Sequence, residues 1–302
     1  MLTRRGVVAG GGLLIAGCAA ADAPQVQPSV QPEREYAYGE RFRAISDYIA
    51  GRLGVCAIDT GNGRTIGTNT NGRFAMASTF KWLLAAGILK RAQGGLSLDD
   101  QVLFRREDLI AHSPVCETKI DAATGMGRMT VGELCEATVT VSDNCAANLL
   151  LVPMMGPQGL TQFLRESGDS VTRLDRNEPA LNENAKGDLR DTTTPAAMAQ
   201  TMARFLTTDE VLNATSRARL IGWLRASSTG LDRLRAGLPA DWNAGDKTGT
   251  GGNGAHNDVA IAFPPGRKPI VIASFISEGT APAGVMPTAH KEVAQVIVRA
   301  FK

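Results

Sequence analysis

Ser78-Thr79-Phe80-Lys81-Trp82-Leu83-Leu84-Ala85-Ala86-Gly87-Ile88 is the stretch from which the rest of the chain is read. Phe80, Leu83, Leu84, Gly87 and Ile88 recur at helical intervals and predict a helix with one buried face. Ser78 falls in its first turn, where unpaired backbone N–H groups and the positive end of the helix dipole favour developing negative charge. Lys81 follows one turn later, so an amine stands beside a hydroxyl that is a poor nucleophile until something takes its proton. A Ser-x-x-Lys spacing arises by chance about once in a chain of this length. Alone it reads equally well as a serine-capped helix start.

Two more motifs follow in order. Ser142-Asp143-Asn144 offers a hydroxyl that can relay a proton and an amide that can donate to and accept from a substrate amide; its plain reading is a polar turn or helix cap. Lys247-Thr248-Gly249 follows a loop and precedes the apolar stretch Val259 to Phe263, which puts it on or beside a strand. There a lysine and a hydroxyl can hold a carboxylate, and glycine lets a substrate approach the backbone; the plain reading is an edge strand with a solvated lysine. Three such motifs in fixed order arise by composition roughly one time in a hundred or less.

With these motifs the chain resembles the class A serine β-lactamases, which share them with penicillin-binding proteins. A fourth element separates the two families. Arg173-Leu174-Asp175-Arg176-Asn177-Glu178-Pro179-Ala180-Leu181-Asn182 resembles the class A Ω-loop, and the resemblance runs from about residue 40 to the C-terminus. It implies that Ser78 is acylated by a β-lactam and that Glu178, helped by Asn182, activates the water that frees it. An ester left on Ser78 hydrolyses slowly without an aimed water and a base. Lys81 directly, or Glu178 through water, takes the acylation proton. Ser142 hands a proton to the departing nitrogen, and the N–H groups of Ser78 and Thr250 form the oxyanion hole.

The same resemblance assigns Asn144, Lys247, Thr248, Gly249 and Thr250 to substrate. Many relatives carry an arginine where this chain has His256; Arg233 matches an alternative arginine position and is expected to take its role at the substrate carboxylate. His112 matches an aromatic position at the pocket rim. Arg176 and Asp191 match the ion pair at the neck of the Ω-loop, and Glu178-Pro179 matches a cis bond. Cys135 matches one end of a disulfide found in some relatives, but its partner position is Ala85. Ala77 and Gly251 stand where a carbapenem-hydrolysing subgroup has a disulfide. The pairing of Cys56, Cys116, Cys135 and Cys145 is not readable, and buried free thiols are as consistent.

The fold implied is α/β (α+β): an antiparallel five-stranded sheet flanked by helices, formed by residues 36–75 and 226–302, with an all-helical lobe inserted over 76–225 that includes the Ω-loop, 173–191. The pattern itself agrees. Leu53 to Asp59 and Arg64 to Thr68 read as a hairpin, residues near 41 to 50 as a helix, Val259 to Phe263 and Ile270 to Ile276 as strands, and a terminal helix starts near Thr288. Everything between the hairpin and Lys247 reads as mainly helical.

The chain has 302 residues, 43% of them hydrophobic, enough for a large core. Its net charge of +2 leaves no basic footprint for nucleic acid. His112, His256 and His290 are scattered without ligand spacing, so no metal or cofactor is expected. Thr3-Arg4-Arg5-Gly6-Val7-Val8 resembles a twin-arginine export signal over 1–18, and Ile15-Ala16-Gly17-Cys18 resembles a lipoprotein cleavage box. Cys18 is then a lipid anchor at the periplasmic membrane face; cleavage near Ala19 to Ala23, releasing a soluble periplasmic protein, is the other reading. Residues 19–35 read as a tether, and a monomer is expected. A penicillin-binding D,D-peptidase, or a β-lactam sensor acylated without turnover, remains the alternative; neither requires Glu178 with Asn182.

Overall fold

A computed structural model describes residues 31–282 and 284–302, with side chains from residue 37 onward. The expected export signal, Cys18 and the tether as far as residue 30 lie outside them. The tether reading ends there, because α1 runs Gln31–Ile49. Pro32 is compatible with this start, since the first turn of a helix leaves its N–H groups unpaired.

The hairpin β1 (Arg52–Asp59) and β2 (Thr65–Thr68) is followed by the short strand β3 (Phe74–Ala75) and by α2 (Phe80–Ala92). Next come β4 (Gln101–Arg105), α3 (Pro114–Thr118), β5 (Met126–Thr130), α4 (Val131–Thr140), α5 (Asn144–Leu151) and α6 (Gly156–Glu166). The Ω-loop leads into β6 (Thr192–Thr193), α7 (Pro195–Thr207), α8 (Ala214–Ala226) and the single turn α9 (Leu234–Gly237). β7 (Gly245–Thr250), β8 (His256–Ala262), β9 (Ile270–Ser277) and α10 (Val285–Phe301) close the chain.

Both ends of the chain build one antiparallel five-stranded sheet in the order β2-β1-β9-β8-β7. Alternation along its strands divides the core. Val55, Ala57, Ala260, Ala262, Ile270 and Ile272 face α1 and α10, while Cys56, Val259, Ile261, Val271, Ala273 and Phe275 face the inserted lobe. β9 is central and covered on both faces, so all of its residues are buried.

The inserted lobe is not wholly helical as expected. β4 and β5 pair inside it, with Leu103 opposite Arg128, and β3 pairs with β6 where the Ω-loop ends, with Phe74 opposite Thr193. These segments are too short and too weakly alternating to announce themselves by period. The α2 expectation also needs correction: every residue from Phe80 to Leu89 is buried, not one face. The helix is the axis of its lobe, packed against α4, α5, α6 and α8.

Candidate active site

Ser78 lies in a 3-10 turn, Ala77–Thr79, immediately before α2 and not within its first turn. That approach is held from three sides. Met76 N–H donates to Asp191 O at 2.9 Å, and Asn257 Nδ2 donates to the carbonyls of Ala75 and Met76 at 2.9 and 3.0 Å. Ala77 has a left-handed φ of 44°, a conformation that surrounding bonds must enforce on a residue with a Cβ. Gly249 packs against the same turn, where an added Cβ would lie 2.7 Å from Met76 O and 3.1 Å from Ser78 N. Its missing side chain thus serves first the chain's own nucleophile turn, and not only an incoming substrate.

Lys81 is fully buried and gathers the site around its ammonium. Nζ donates to Ser78 Oγ at 3.1 Å, to Ser142 Oγ at 3.2 Å, to Ser142 O at 2.8 Å and to Asn144 Oδ1. It also lies 3.0 Å from Glu178 Oε1. Burial lowers its pKa, with Glu178 and Asp143 opposing the shift. Ser78 Oγ reaches the same carboxylate, donating to Glu178 Oε1 at 3.3 Å.

Asp143 is the mechanical centre of the second motif. Its side chain caps α5 through Ala146 N–H at 2.9 Å and accepts from Val115 N–H and Cys116 N–H at 2.9 and 3.0 Å, fastening α5 to α3. Ser142, at a left-handed φ of 62°, is thereby turned toward both lysines. Asn144 spends its oxygen on Lys81 and one amide hydrogen on Ala111 O at 2.7 Å, so one N–H is left to face the cleft.

Glu178 is 4% exposed, far from the solvated glutamate that composition alone favours. Asn182 Nδ2 donates to its Oε2 at 2.5 Å, while Asn182 Oδ1 is buried without a partner among the described residues. Sequence reasoning missed the residue that fixes its backbone: Asn148 accepts from Glu178 N–H at 3.0 Å and donates to Glu178 O at 2.9 Å. Its signal was present, since Asn148 follows Asn144 by one helical turn on the same face of α5. The expected neck is formed, with Arg176 Nε donating to Asp191 Oδ2 at 2.6 Å and Asp191 fully buried. The Glu178-Pro179 bond is cis.

Lys247 closes the opposite wall. It is buried, not a solvated edge lysine, and Nζ donates to Ser142 Oγ at 3.1 Å and to Thr248 O at 2.9 Å. Burial, then the charge of Lys81, pushes its pKa down to about 7. Thr248 Oγ1 donates to Thr229 Oγ1 at 2.7 Å, so Thr229 joins the site although its residue type gave no sign. Arg233 lies across the end of β7 and donates to Asn257 O at 2.7 Å, Gly249 O at 3.2 Å and Thr250 Oγ1 at 3.0 Å. His256 instead turns inward and stacks on His290 at 5.2 Å. Burial, then the charge of Arg233, pushes its pKa down to about 3.

A cleft of about 310 Å³ joins these groups, lined by Ser78, His112, Ser142, Asn144, Asn182, Thr229, Arg233, Thr248, Gly249 and Thr250. His112 stands at its rim, exposed, with Nε2 3.0 Å from Val141 O. The arrangement has a nucleophile shared by an amine and a carboxylate, a hydroxyl between two lysines, and a cationic far wall. It can form an ester on Ser78, return a proton to a leaving nitrogen and hold a substrate carboxylate.

Comparison with known proteins agrees with this chemistry. A family model described as the beta-lactamase enzyme family matches residues 38–301. The chain is 46% identical over 262 residues to beta-lactamase AST-1 of Nocardia asteroides, covering 86% of this chain and 83% of the relative. It is 47% identical over 240 residues to beta-lactamase L2 of Stenotrophomonas maltophilia, covering 79% and 77%. An ancestral class A β-lactamase structure, GNCA, matches with a TM-score of 0.84 at 50% identity, covering 87% of this chain and all of the other. A β-lactamase structure from Xanthomonas campestris matches with a TM-score of 0.85 at 44% identity, covering 89% and 99%. The motifs, the sheet that carries them and these likenesses agree: the chain belongs to the β-lactamase enzyme family, in its class A.

Proposed function

We propose that the chain hydrolyses the amide bond of β-lactams through an ester on Ser78, and so confers resistance on a bacterium that makes it. Ser78 Oγ attacks the lactam carbonyl while its proton leaves toward Lys81 or Glu178, both within reach. The oxyanion is held by the N–H groups of Ser78 and Thr250. The C–N bond then breaks and Ser142, polarised by Lys81 and Lys247, protonates the nitrogen. Lys247, Thr248 and Arg233 take the substrate carboxylate, Asn144 a side-chain amide, and His112 borders the entrance. In the second half, Glu178 removes a proton from a water that Asn182 helps to orient, and the water's oxygen displaces Ser78.

One observation carries this reading against an acylated peptidase or sensor. The Glu178 carboxylate touches the nucleophile with one oxygen and Asn182 with the other, which is what deacylation requires. Mixing the protein with a chromogenic cephalosporin while following absorbance and protein mass tests it. Sustained turnover is expected; one stoichiometric acylation without turnover overturns it.

Export to the periplasm, lipidation at Cys18 and a monomeric state complete the proposal, on the N-terminal sequence and the self-contained cleft. Cys18→Ala is expected to move the protein from the membrane to the soluble fraction; unchanged membrane recovery removes the anchor.

A further inference from the structure

The turn between β7 and β8 contains Gly251-Gly252-Asn253-Gly254, a stretch with one side chain among three glycines, so its backbone is costly to order and must be held from outside. The Ω-loop holds it. Gly252 N–H donates to Asn182 O at 2.7 Å. An added Cβ would lie 2.8 Å from Asn182 O at Gly251 and 2.5 Å from Glu183 O at Gly252, so loop and turn meet backbone to backbone. Asn184, at a left-handed φ of 50°, closes this seam. Its Nδ2 donates to Gly252 O at 3.0 Å, to Asn253 O at 3.2 Å and to Ser277 Oγ, at the end of β9, at 3.0 Å. Asn253 Nδ2 returns a bond to Asn184 O at 3.2 Å, and Glu278 N–H donates to Asn253 O at 2.8 Å. An ordinary loop asparagine spends its amide on water or on its own turn; this one ties the Ω-loop to two neighbouring segments.

The two sides of the seam carry different parts of the chemistry. Thr250, whose N–H belongs to the oxyanion hole in the function proposed above, immediately precedes the turn. Asn182 touches Glu178 with its side chain and Gly252 with its carbonyl, and lies two residues before Asn184. We propose that Asn184 is a positioning residue for deacylation. It fastens the turn that bears the Thr250 N–H to the loop that bears Glu178, so that the ester carbonyl and the attacking water are held in one frame. This role rests on the hydrolase reading. Asn184 is not among the residues that line the cleft, and it acts through Gly252 and Asn182. Acylation draws on Ser78, Lys81 and Ser142, which bond to one another without any contact with the seam. Deacylation needs a base on the Ω-loop and a carbonyl held from β7 in fixed relation, and a small misplacement of such groups is costly. Release of the seam therefore falls on the second half of the reaction.

Wild type, Asn184→Ala and Asn184→Asp are compared on a chromogenic cephalosporin by rapid quench and protein mass, which give acylation and deacylation rates separately. Hydrogen exchange of the peptide spanning residues 250–256 is followed in the free proteins. Aspartate keeps the shape of asparagine and, ionised at neutral pH, removes both N–H donors from the seam. Both variants are expected to deacylate about tenfold more slowly, with acylation changed less than about twofold, so that the acyl-enzyme accumulates. Exchange at the turn is expected to quicken about tenfold. Should either variant fail to fold, Asn253→Gly reads the same seam, since it keeps the left-handed turn and removes only the bond to Asn184 O. It is expected to slow deacylation about threefold. Wild-type deacylation in Asn184→Ala or Asn184→Asp, or equal losses in both half-reactions, overturns the proposal. So does wild-type deacylation in Asn253→Gly where that variant stands in. A wild-type protein acylated once without turnover removes the hydrolase reading and this role with it. Wild-type turnover beside variants that deacylate equally fast removes the role of Asn184 alone.

Discussion

β7 and β8 carry two clusters of buried charge, one on each face, and the clusters are built differently. Toward the inserted lobe, Lys247 and Asn257 face Lys81, Ser142 and Glu178, and among the described residues both lysine ammoniums and both Glu178 oxygens have partners. On the other face, Asp246 and Asp258 lie beneath Arg233 and Arg235. Among the described residues, Asp246 Oδ2, Asp258 Oδ1, Arg233 Nε and His256 Nδ1 there lack partners. Burial acts on both clusters in the same sense, toward neutrality. It lowers the lysines in front and raises Asp246 and, further, Asp258 behind. In front, Glu178 and Asp143 oppose the loss of charge on Lys81 while Lys247 is brought down to about 7, and those protons are the ones that chemistry can move. Burial pushes the rear carboxylates toward the neutral form, and the use of that cluster is to carry Arg233: Leu234 N–H donates to Asp258 Oδ2 at 3.0 Å, and Arg235 Nε pairs with Asp246.

This contrast can be broken by substitution. The largest effect is expected in front. Glu178→Ala should slow deacylation by about 10³-fold or more, so that the acyl-enzyme accumulates and is seen by mass; wild-type turnover would remove Glu178 from the mechanism. Asp191→Asn weakens a buried ion pair and two N–H contacts at the base of the Ω-loop. It should cost about 3 kcal/mol in urea unfolding and slow deacylation with it. Unchanged stability together with unchanged turnover would refute that role.

Arg233→Ala is expected to raise KM for a carboxylate-bearing β-lactam about tenfold with a smaller change in kcat, the pattern of a lost binding contact. An effect on kcat alone would place Arg233 outside substrate binding.

The pH profile sharpens the front cluster further. Lys247 must be protonated to hold a carboxylate, and its pKa of about 7 predicts that kcat/KM falls above that pH. The basic limb of kcat should lie higher, since a bound carboxylate retains the proton. The stability contribution has the opposite sign. From about pH 7 up to the ordinary lysine value of 10.5, the unfolded chain holds a proton that the folded chain has lost, so this group's contribution grows with pH. A kcat/KM that is flat to pH 9 would contradict the assignment.

The smallest effect is expected behind. Burial, then the charge of Asp246, pushes the Asp258 carboxyl well above its ordinary value, toward the neutral form. Asp258→Asn keeps the shape of the side chain and removes a charge that burial already opposes, so it should change stability by less than about 1 kcal/mol and turnover by about twofold. A loss as large as that of Asp191→Asn would mean that Asp258 is ionised in the fold.

Much of this was readable along the chain. The nucleophile with its lysine, Ser142, Glu178 and Lys247 all stand in local motifs whose spacing encodes their neighbours, and the last two sheet strands stand out as short apolar runs. Asn148 was passed over because an asparagine in a helix looks like any polar position until the loop it clamps is present. β3 and β6 escaped because two-residue strands have no period. The single apolar face expected for α2 was an underestimate, since a helix enclosed by others draws no contrast from solvent.

The sequence by itself determined the order of the functional groups and the elements that carry them, because helical and strand periods act over a few residues. Only the tertiary structure decided that Lys247 loses most of its basicity and that His256 turns inward while Arg233 reaches the cleft. Those outcomes depend on burial and on contacts between residues far apart in the chain, and desolvation and Coulomb interaction act through space.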